Sequence, residues 1–369
     1  MKVAIASSGL GHIYRGIESW ARELAYALNK KGVDVTLFKG GGDRESEIEE
    51  ILPCIKRDSR LVGWNKSIIP GFYRYLLEQI TFSIPLSLRL KNYDIVHLAD
   101  AGVASLLMRV KKLGLLKTKV IFATSLEIKD IKNPPRWPLA FEHLHLFAPH
   151  YLEKAKKAGF NTNKWFMIPH FVDTKKFTPT NAWSIRESLG IPEDAFVVLS
   201  VGAIQTRIKR MDYVIEEVAE LEDAYLIIAG HVEQETEKVI KMGKKMLGDR
   251  IFFMKNVPMK EIPRVYGSSD VFVLGSLTEQ FGIAILEAMA SGIPVIVQKT
   301  PITTWIVDEG GTLIDMSKQG NLTSALRKYL NDNFRHRMGK KARERAEERF
   351  SKENVLKNII NMYEVVSET

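Results

Sequence analysis

Two glutamates, Glu279 and Glu287, enclose the run Gln280-Phe281-Gly282-Ile283-Ala284-Ile285-Leu286. The strand-like Val271-Phe272-Val273-Leu274 precedes them, and Ala288-Met289-Ala290-Ser291-Gly292-Ile293-Pro294 follows. This order of strand, loop, helix and strand sets Gly282 at a helix start, where the missing Cβ lets a ligand approach the backbone. The amides of Phe281, Gly282 and Ile283, with the helix dipole behind them, suit a phosphate. Glu279 falls on the loop before the helix and Glu287 inside it, so one ligand lying across the N-terminus can meet both. An ionised carboxylate only accepts hydrogen bonds, which suits sugar hydroxyls. The structural alternative makes Glu279 a cap and Glu287 a surface residue. Against it, Ile285, Leu286, Ala288 and Met289 read as a largely buried helix.

A second cluster, Ser200-Val201-Gly202-Ala203-Ile204-Gln205-Thr206-Arg207-Ile208-Lys209-Arg210, is a strand running into a glycine loop with cations. Arg207, Lys209 and Arg210 at the mouth of a sheet can neutralise a diphosphate as a bond to it breaks. A third motif, Ser8-Gly9-Leu10-Gly11-His12-Ile13-Tyr14-Arg15-Gly16-Ile17-Glu18, follows the first strand. As a dinucleotide fingerprint it fails, because Tyr14 stands at the third glycine and the second strand ends Phe38-Lys39-Gly40 with no acidic residue for a ribose. NAD is therefore excluded as the expected ligand.

These loops need rigid elements to hold them. Short β-branched runs at Val3–Ser7, Val33–Phe38, Ile95–Leu98 and Val120–Thr124 alternate with helical patterns, the signature of parallel βαβ units. The pattern restarts at Phe196 and continues through Tyr225–Ala229, Ile251–Met254, Val271–Leu274 and Pro294–Val297. The expected fold class is α/β, with two doubly wound parallel-sheet Rossmann-like domains facing a cleft, the usual ligand site of open sheets. The expected boundaries are 1–170, 171–350 and a returning helix at 351–369. Pro169, Pro179 and Pro192 mark Ile168–Glu193 as a linker. The C-terminal helices should break near Asn331–Asn333 and at Phe350-Ser351.

Composition narrows the class. The chain has 369 residues, 45% hydrophobic and 26% charged, with no biased tract or repeat, which excludes a solenoid, a fibre or a disordered chain. The lone Cys54 forms no internal disulfide, no zinc-type spacing exists, and neither a leader nor a membrane-spanning run is visible. A cytoplasmic protein is expected. Net charge is +9, and its distribution is uneven: residues 1–180 hold 28 basic and 17 acidic side chains, residues 181–369 hold 25 and 27. The excess suggests that the first half faces an anion. Leu61–Leu90, with Trp64, Ile68, Ile69, Phe72, Tyr73, Arg74 and Tyr75, fits an anionic membrane interface or the core face of helices, and both readings stay open.

Glu279 to Pro294 resembles the E-x7-E signature, with its trailing A-x-G-x-P, of the retaining GT-B glycosyltransferases of family GT4. Three further segments agree. Arg15-Gly16-Ile17-Glu18 is similar to the family's Gly-Gly-hydrophobic-Glu element, with arginine replacing the first glycine. The 200–212 loop carries Lys209 where the family has a lysine, but Ala203 where an arginine often stands. Pro169-His170-Phe171-Val172-Asp173 resembles the element that leads into the second domain. The resemblance implies sugar transfer from a nucleotide diphosphate sugar, UDP- or GDP-linked, with retention and without metal or cofactor. It gives Glu279 and Lys209 the chemistry, leaves open whether Arg207 supplies the cation missing at Ala203 or Lys209 works with backbone donors alone, and gives Gly16, Gly202, Phe281, Gly282, Ile283, Glu287 and Val257 the donor. Arg15, Ser125 and Glu127 fall on the acceptor side, the latter two where many members carry a histidine. His97, His143, His145 and His150 are expected to be structural. A GT-B epimerase or phosphorylase is a rival that the E-x7-E spacing disfavours. A module binding an anionic polymer or nucleic acid through the first half is a rival of another class, only weakly supported by Trp64, Tyr73 and Tyr75. Oligomeric state cannot be read from the sequence.

Overall fold

A computed structural model of the chain describes residues 1–13, 16–59, 71–125, 141–180 and 182–369, with the backbone alone at 71 and 72. These residues form two compact units, Met1–Pro169 together with Leu356–Thr369, and His170–Val355. The first contains β1 (Lys2–Ser7), β2 (Asp34–Lys39), β3 (Glu49–Ile51), β4 (Ile95–Leu98), β5 (Lys119–Thr124), β6 (His143–Leu146) and β7 (Trp165–Met167), in the order β3-β2-β1-β4-β5-β6-β7. The second contains β8 (Phe196–Val201), β9 (Ala224–Gly230), β10 (Ile251–Lys255), β11 (Val271–Leu274), β12 (Val295–Gln298) and β13 (Gly311–Ile314), in the order β10-β9-β8-β11-β12-β13. All pairings between these strands are parallel. Each sheet reverses its winding beside its first strand, at β1/β4 and at β8/β11, which creates a topological switch point. Strands covered on both faces must be apolar throughout; Val3-Ala4-Ile5-Ala6 and Val197-Val198-Leu199 are accordingly buried.

The stretch expected as a linker is instead built into the second unit from His170 onward. Its prolines interrupt regular structure, but Phe171, Val172 and Phe177 between them are buried and have to be packed. Val172 N–H donates to Phe350 O at 2.8 Å and Lys352 N–H to Val172 O at 2.9 Å. The C-terminal helices, Asn321–Tyr329, Asp332–Phe350 and Lys352–Glu368, break at the two expected places. The Asn331 side chain caps the middle helix by accepting from Phe334 N–H at 2.9 Å.

The last helix is fixed to the first sheet by a directional chain of buried hydrogen bonds. Ile168 O can only accept, so His145 Nε2 carries a proton toward it at 2.7 Å. His145 Nδ1 then accepts from His97 Nε2 at 3.0 Å, and His97 Nδ1 from the Tyr363 hydroxyl at 2.7 Å. Both rings must be neutral for this. Burial holds His145 at about 4, and burial with the neighbouring ring holds His97 well below the usual histidine range. Unfolded imidazoles titrate near ~6.5, so the unfolded chain takes up protons first as pH falls. The stability these histidines contribute is complete above that pH and is lost on the way down toward about 4. The urea midpoint should therefore fall between pH 7 and pH 5, and Tyr363→Phe should cost about 1–2 kcal/mol at pH 7. A midpoint unmoved by either change would contradict the relay.

Candidate functional site

In the second unit the carboxyl ends of β8 and β11 carry the loops that the sequence singles out. β8 and β9 close main chain to main chain: Gly202 N–H donates to Ala229 O at 2.9 Å, and a Cβ on Gly230 would lie 1.6 Å from Gly202 O. From there the loop runs to Arg210, which has left-handed backbone (φ 49°) and precedes the helix Met211–Ala219. The Arg210 guanidinium donates to Met316 O at 2.7 Å and lies 4.4 Å from the Tyr213 ring centre, so it clamps the loop. At the other end of the loop, Glu235 accepts from the Thr206 N–H and hydroxyl, both at 2.8 Å, and these bonds hold its carboxyl below the usual range.

Between those anchors the stem of Lys209 passes over Gly202; a Cβ there would sit 3.3 Å from its Cγ, Cδ and Cε. Its ammonium reaches Glu279 Oε1 at 2.5 Å, with the two side chains 23% and 14% exposed. Arg207 is exposed and forms no ion pair among the described residues. Lys209 and Glu279 thus come together, while Arg207 points its charge to solvent.

The helix Ile283–Ala290 starts at Gly282 with φ 88°, and no side chain among the described residues caps it. Phe281 is buried edge-on against His170, at 4.6 Å between ring centres, and against Trp305 and Phe350. That packing fixes the amides that begin the helix. Glu287 accepts from the buried Tyr266 hydroxyl at 2.9 Å. Burial first, and the Glu287 carboxylate second, push Tyr266 well above the usual tyrosine range, so it remains a donor. Val257 is half-buried on the turn after β10, where Asn256 takes positive φ and donates its N–H to Gly230 O at 2.8 Å.

Gly16 opens the helix Gly16–Lys30 of the first unit and is exposed. Ser125 follows β5 and is half-buried. Arg15, Glu127, the 61–70 part of the aromatic stretch and the Phe72 side chain lie outside what is described. Sequence reading missed Tyr266, Gly230 and Arg343. Arg343 donates to Phe177 O and Ala290 O and so binds the Asp332–Phe350 helix to the end of the site helix. A lone tyrosine or arginine in a helix carries no spacing signal; only Gly230, ending a strand, was open to notice.

Two doubly wound parallel sheets, one of them placing a cation and a carboxylate before a helix that starts at a glycine, define the class: a two-unit α/β protein of Rossmann-like build. Residues 181–345 match the family described as glycosyl transferases group 1, and residues 14–141 match glycosyltransferase family 4. The chain belongs to the group 1 glycosyltransferases and has the GT-B fold. It is 25% identical over 393 aligned residues to the Escherichia coli UDP-Gal:alpha-D-GlcNAc-diphosphoundecaprenol alpha-1,3-galactosyltransferase, covering 97% of this chain and 95% of that one. Several other curated relatives are matched over only 46% to 56% of their length. Among solved structures, sucrose-phosphate synthase from Thermosynechococcus elongatus superposes with a TM-score of 0.81 at 18% identity, over 99% of this chain and 98% of that one. Anabaena HepE, in complex with UDP and glucose, gives 0.75 at 15%, over 99% of both.

Gly282→Ala tests the turn that starts the site helix. Its φ is left-handed and the new Cβ would approach Ile285 Cδ1 to 2.7 Å. Urea unfolding should show a loss of about 1–2 kcal/mol; unchanged stability would show that this turn tolerates a side chain.

Proposed function

We propose that this chain is a retaining glycosyltransferase that moves a sugar from a nucleotide diphosphate sugar to an acceptor hydroxyl. The observation that carries the reading is the Lys209–Glu279 contact at 2.5 Å, beside the helix start at Gly282. Lys209 and the amides of Phe281, Gly282 and Ile283 bind the diphosphate and stabilise the charge that grows as the glycosidic bond breaks. Glu279 then turns to the donor sugar's hydroxyls, and Glu287, held by Tyr266, receives the ribose. Gly202 and Val257 line the nucleotide, and Arg207 adds a peripheral cation. The departing phosphate oxygen takes the acceptor proton, so the scheme needs neither a protein base nor a metal or cofactor. UDP is the favoured nucleotide, supported by its presence in HepE.

The apo contact gives the two residues opposite signatures. Lys209→Ala should weaken UDP binding by about 10–100-fold, the loss of a charge-assisted hydrogen bond. Glu279→Gln frees Lys209 and should bind UDP at least as tightly as the wild type, while transfer drops by about 100-fold or more. Titration calorimetry with UDP and a product assay check both. UDP affinity undiminished in Lys209→Ala would remove the lysine from the site.

We also propose that the acceptor is met at an anionic membrane surface. The helix Gly71–Arg89 buries Phe82 and Leu86 but exposes Tyr73, Ile80, Ile84 and Leu88 along one stripe, the last two by 61% and 63%. The first unit carries 27 basic and 18 acidic side chains, the second 26 of each. Apolar insertion and headgroup attraction would add. No described helix is long and apolar enough to cross a membrane, and the association proposed is peripheral, from the cytoplasmic side. Vesicles of anionic phospholipid should sediment the protein at low salt, less at high salt, and lose it with Ile84→Glu/Leu88→Glu. Absence of binding at every salt concentration would end this part of the reading.

A further inference from the structure

The glycine loop of the first unit carries a histidine that donor chemistry leaves unused. His12 Nε2 lies 2.8 Å from Glu78 Oε2. Glu78 has no exposed side-chain surface, and it also accepts from Arg57, through guanidinium and backbone N–H at 2.5–3.1 Å, and from the Ser8 hydroxyl at 3.2 Å. Burial pulls this carboxyl up, but the bonds from His12 and Arg57 outweigh it and hold it at about 2. An ionised carboxylate can only accept, so the one proton of a neutral imidazole sits on Nε2, and Nδ1 presents a lone pair.

That nitrogen is buried without a hydrogen-bond partner among the described residues, in a side chain only 7% exposed. Buried polar atoms are nearly always satisfied, so an orphan in a rigidly held ring points to a missing partner. Lys56 supplies the second half of the argument. Its Nζ and His12 Nδ1 lie 2.9 and 3.0 Å from a single point, the place a Cβ on Gly41 would take. No carboxylate among the described residues forms an ion pair with Lys56. The two nitrogens stand past the carboxyl ends of β1 and β2, the edge where open parallel sheets take ligands. One common group answers both at once: a hydroxyl, which gives its proton to Nδ1 and accepts from the ammonium.

We infer that His12 and Lys56 form a hydroxyl-binding subsite of the first unit, which takes a sugar or polyol acceptor. The occupant's role as acceptor rests on the glycosyl-transfer reading above; the hydroxyl chemistry does not. Glu78 and Arg57 are positioning residues, since they act through His12. Lys56, on a flexible stem, moves aside to admit the ligand and then donates to it.

The test uses the full chain with isotope-labelled histidine, observed by nitrogen NMR, with the His12 Nδ1 resonance assigned by its loss in His12→Asn. Methyl α-D-galactopyranoside, myo-inositol and UDP are titrated separately. At least one of the two neutral polyols should shift the resonance saturably, and Lys56→Ala should weaken that binding by about tenfold. If neither polyol moves the resonance while UDP still binds, the subsite is overturned and the donor reading stands. Polyol binding without UDP binding supports the subsite and overturns the donor reading. A polyol shift of unchanged affinity in a folded Lys56→Ala protein overturns the two-residue site.

Discussion

The geometry of the second unit's site depends on how closely two strand ends approach. β8 and β9 leave their sheet with the Gly202 carbonyl against the α-carbon of Gly230, where a Cβ would lie 1.6 Å away. That closure sets the starting direction of the 203–210 loop, and Arg210 sets its end. With both ends fixed, Lys209 lies along Gly202 and its charge comes to rest at Glu279. The first unit uses the same device, since a Cβ on Gly11 would lie 2.0 Å from Gly41 O. In both sheets the carboxyl edge is closed by backbone against backbone, and the functional side chains are what remains to fill the opening.

The two ionic clusters differ in what they can release. Lys209 and Glu279 retain access to water, so exchanging each other for a ligand has a modest desolvation term. Glu78 does not, because a fully buried carboxylate deprived of its partner leaves an uncompensated charge. Asp100 shows how much the donors matter. It is buried in the same neighbourhood, but its carboxyl is raised by that burial, which the bonds from Ser8 and the Arg57 charge do not overcome, whereas Glu78 is held down by direct bonds from His12 and Arg57. A residue receiving that many fixed donors is a frame, and the movable chemistry belongs to what the frame orients.

The alternation of apolar runs with helical patterns was enough to read both doubly wound sheets, since strands buried on two faces announce themselves by composition. β6 escaped because His143-Leu144-His145-Leu146 alternates like a half-exposed strand; the burial of His145 is made possible by His97 and Ile168 O, and those partners are remote in sequence. The 168–193 stretch misled for a related reason: prolines are visible locally, whereas the need to bury Phe171 and Phe177 appears only once Phe350 and Tyr266 are in place. Within the site, Glu279, Gly282 and Lys209 were legible because loop chemistry is local. Tyr266 was not, because its hydroxyl meets Glu287 across two helices.

The helix Gly71–Arg89 unites these constraints. Of its side chains described from Tyr73 onward, the charged ones are Arg74, Glu78 and Arg89, and its single carboxylate is turned inward to hold His12 and Arg57. An ordinary surface helix places its charges outward and its apolar residues inward. Here the inward face has had to accept a polar cluster, while Phe82, Leu86 and the outward Ile84 and Leu88 are all apolar. The inward carboxylate is explained by the orphan ring it orients. The apolar outward stripe has no such internal cause, and on the unit that carries the chain's whole net charge it is chemically suited to a surface that is both apolar and anionic.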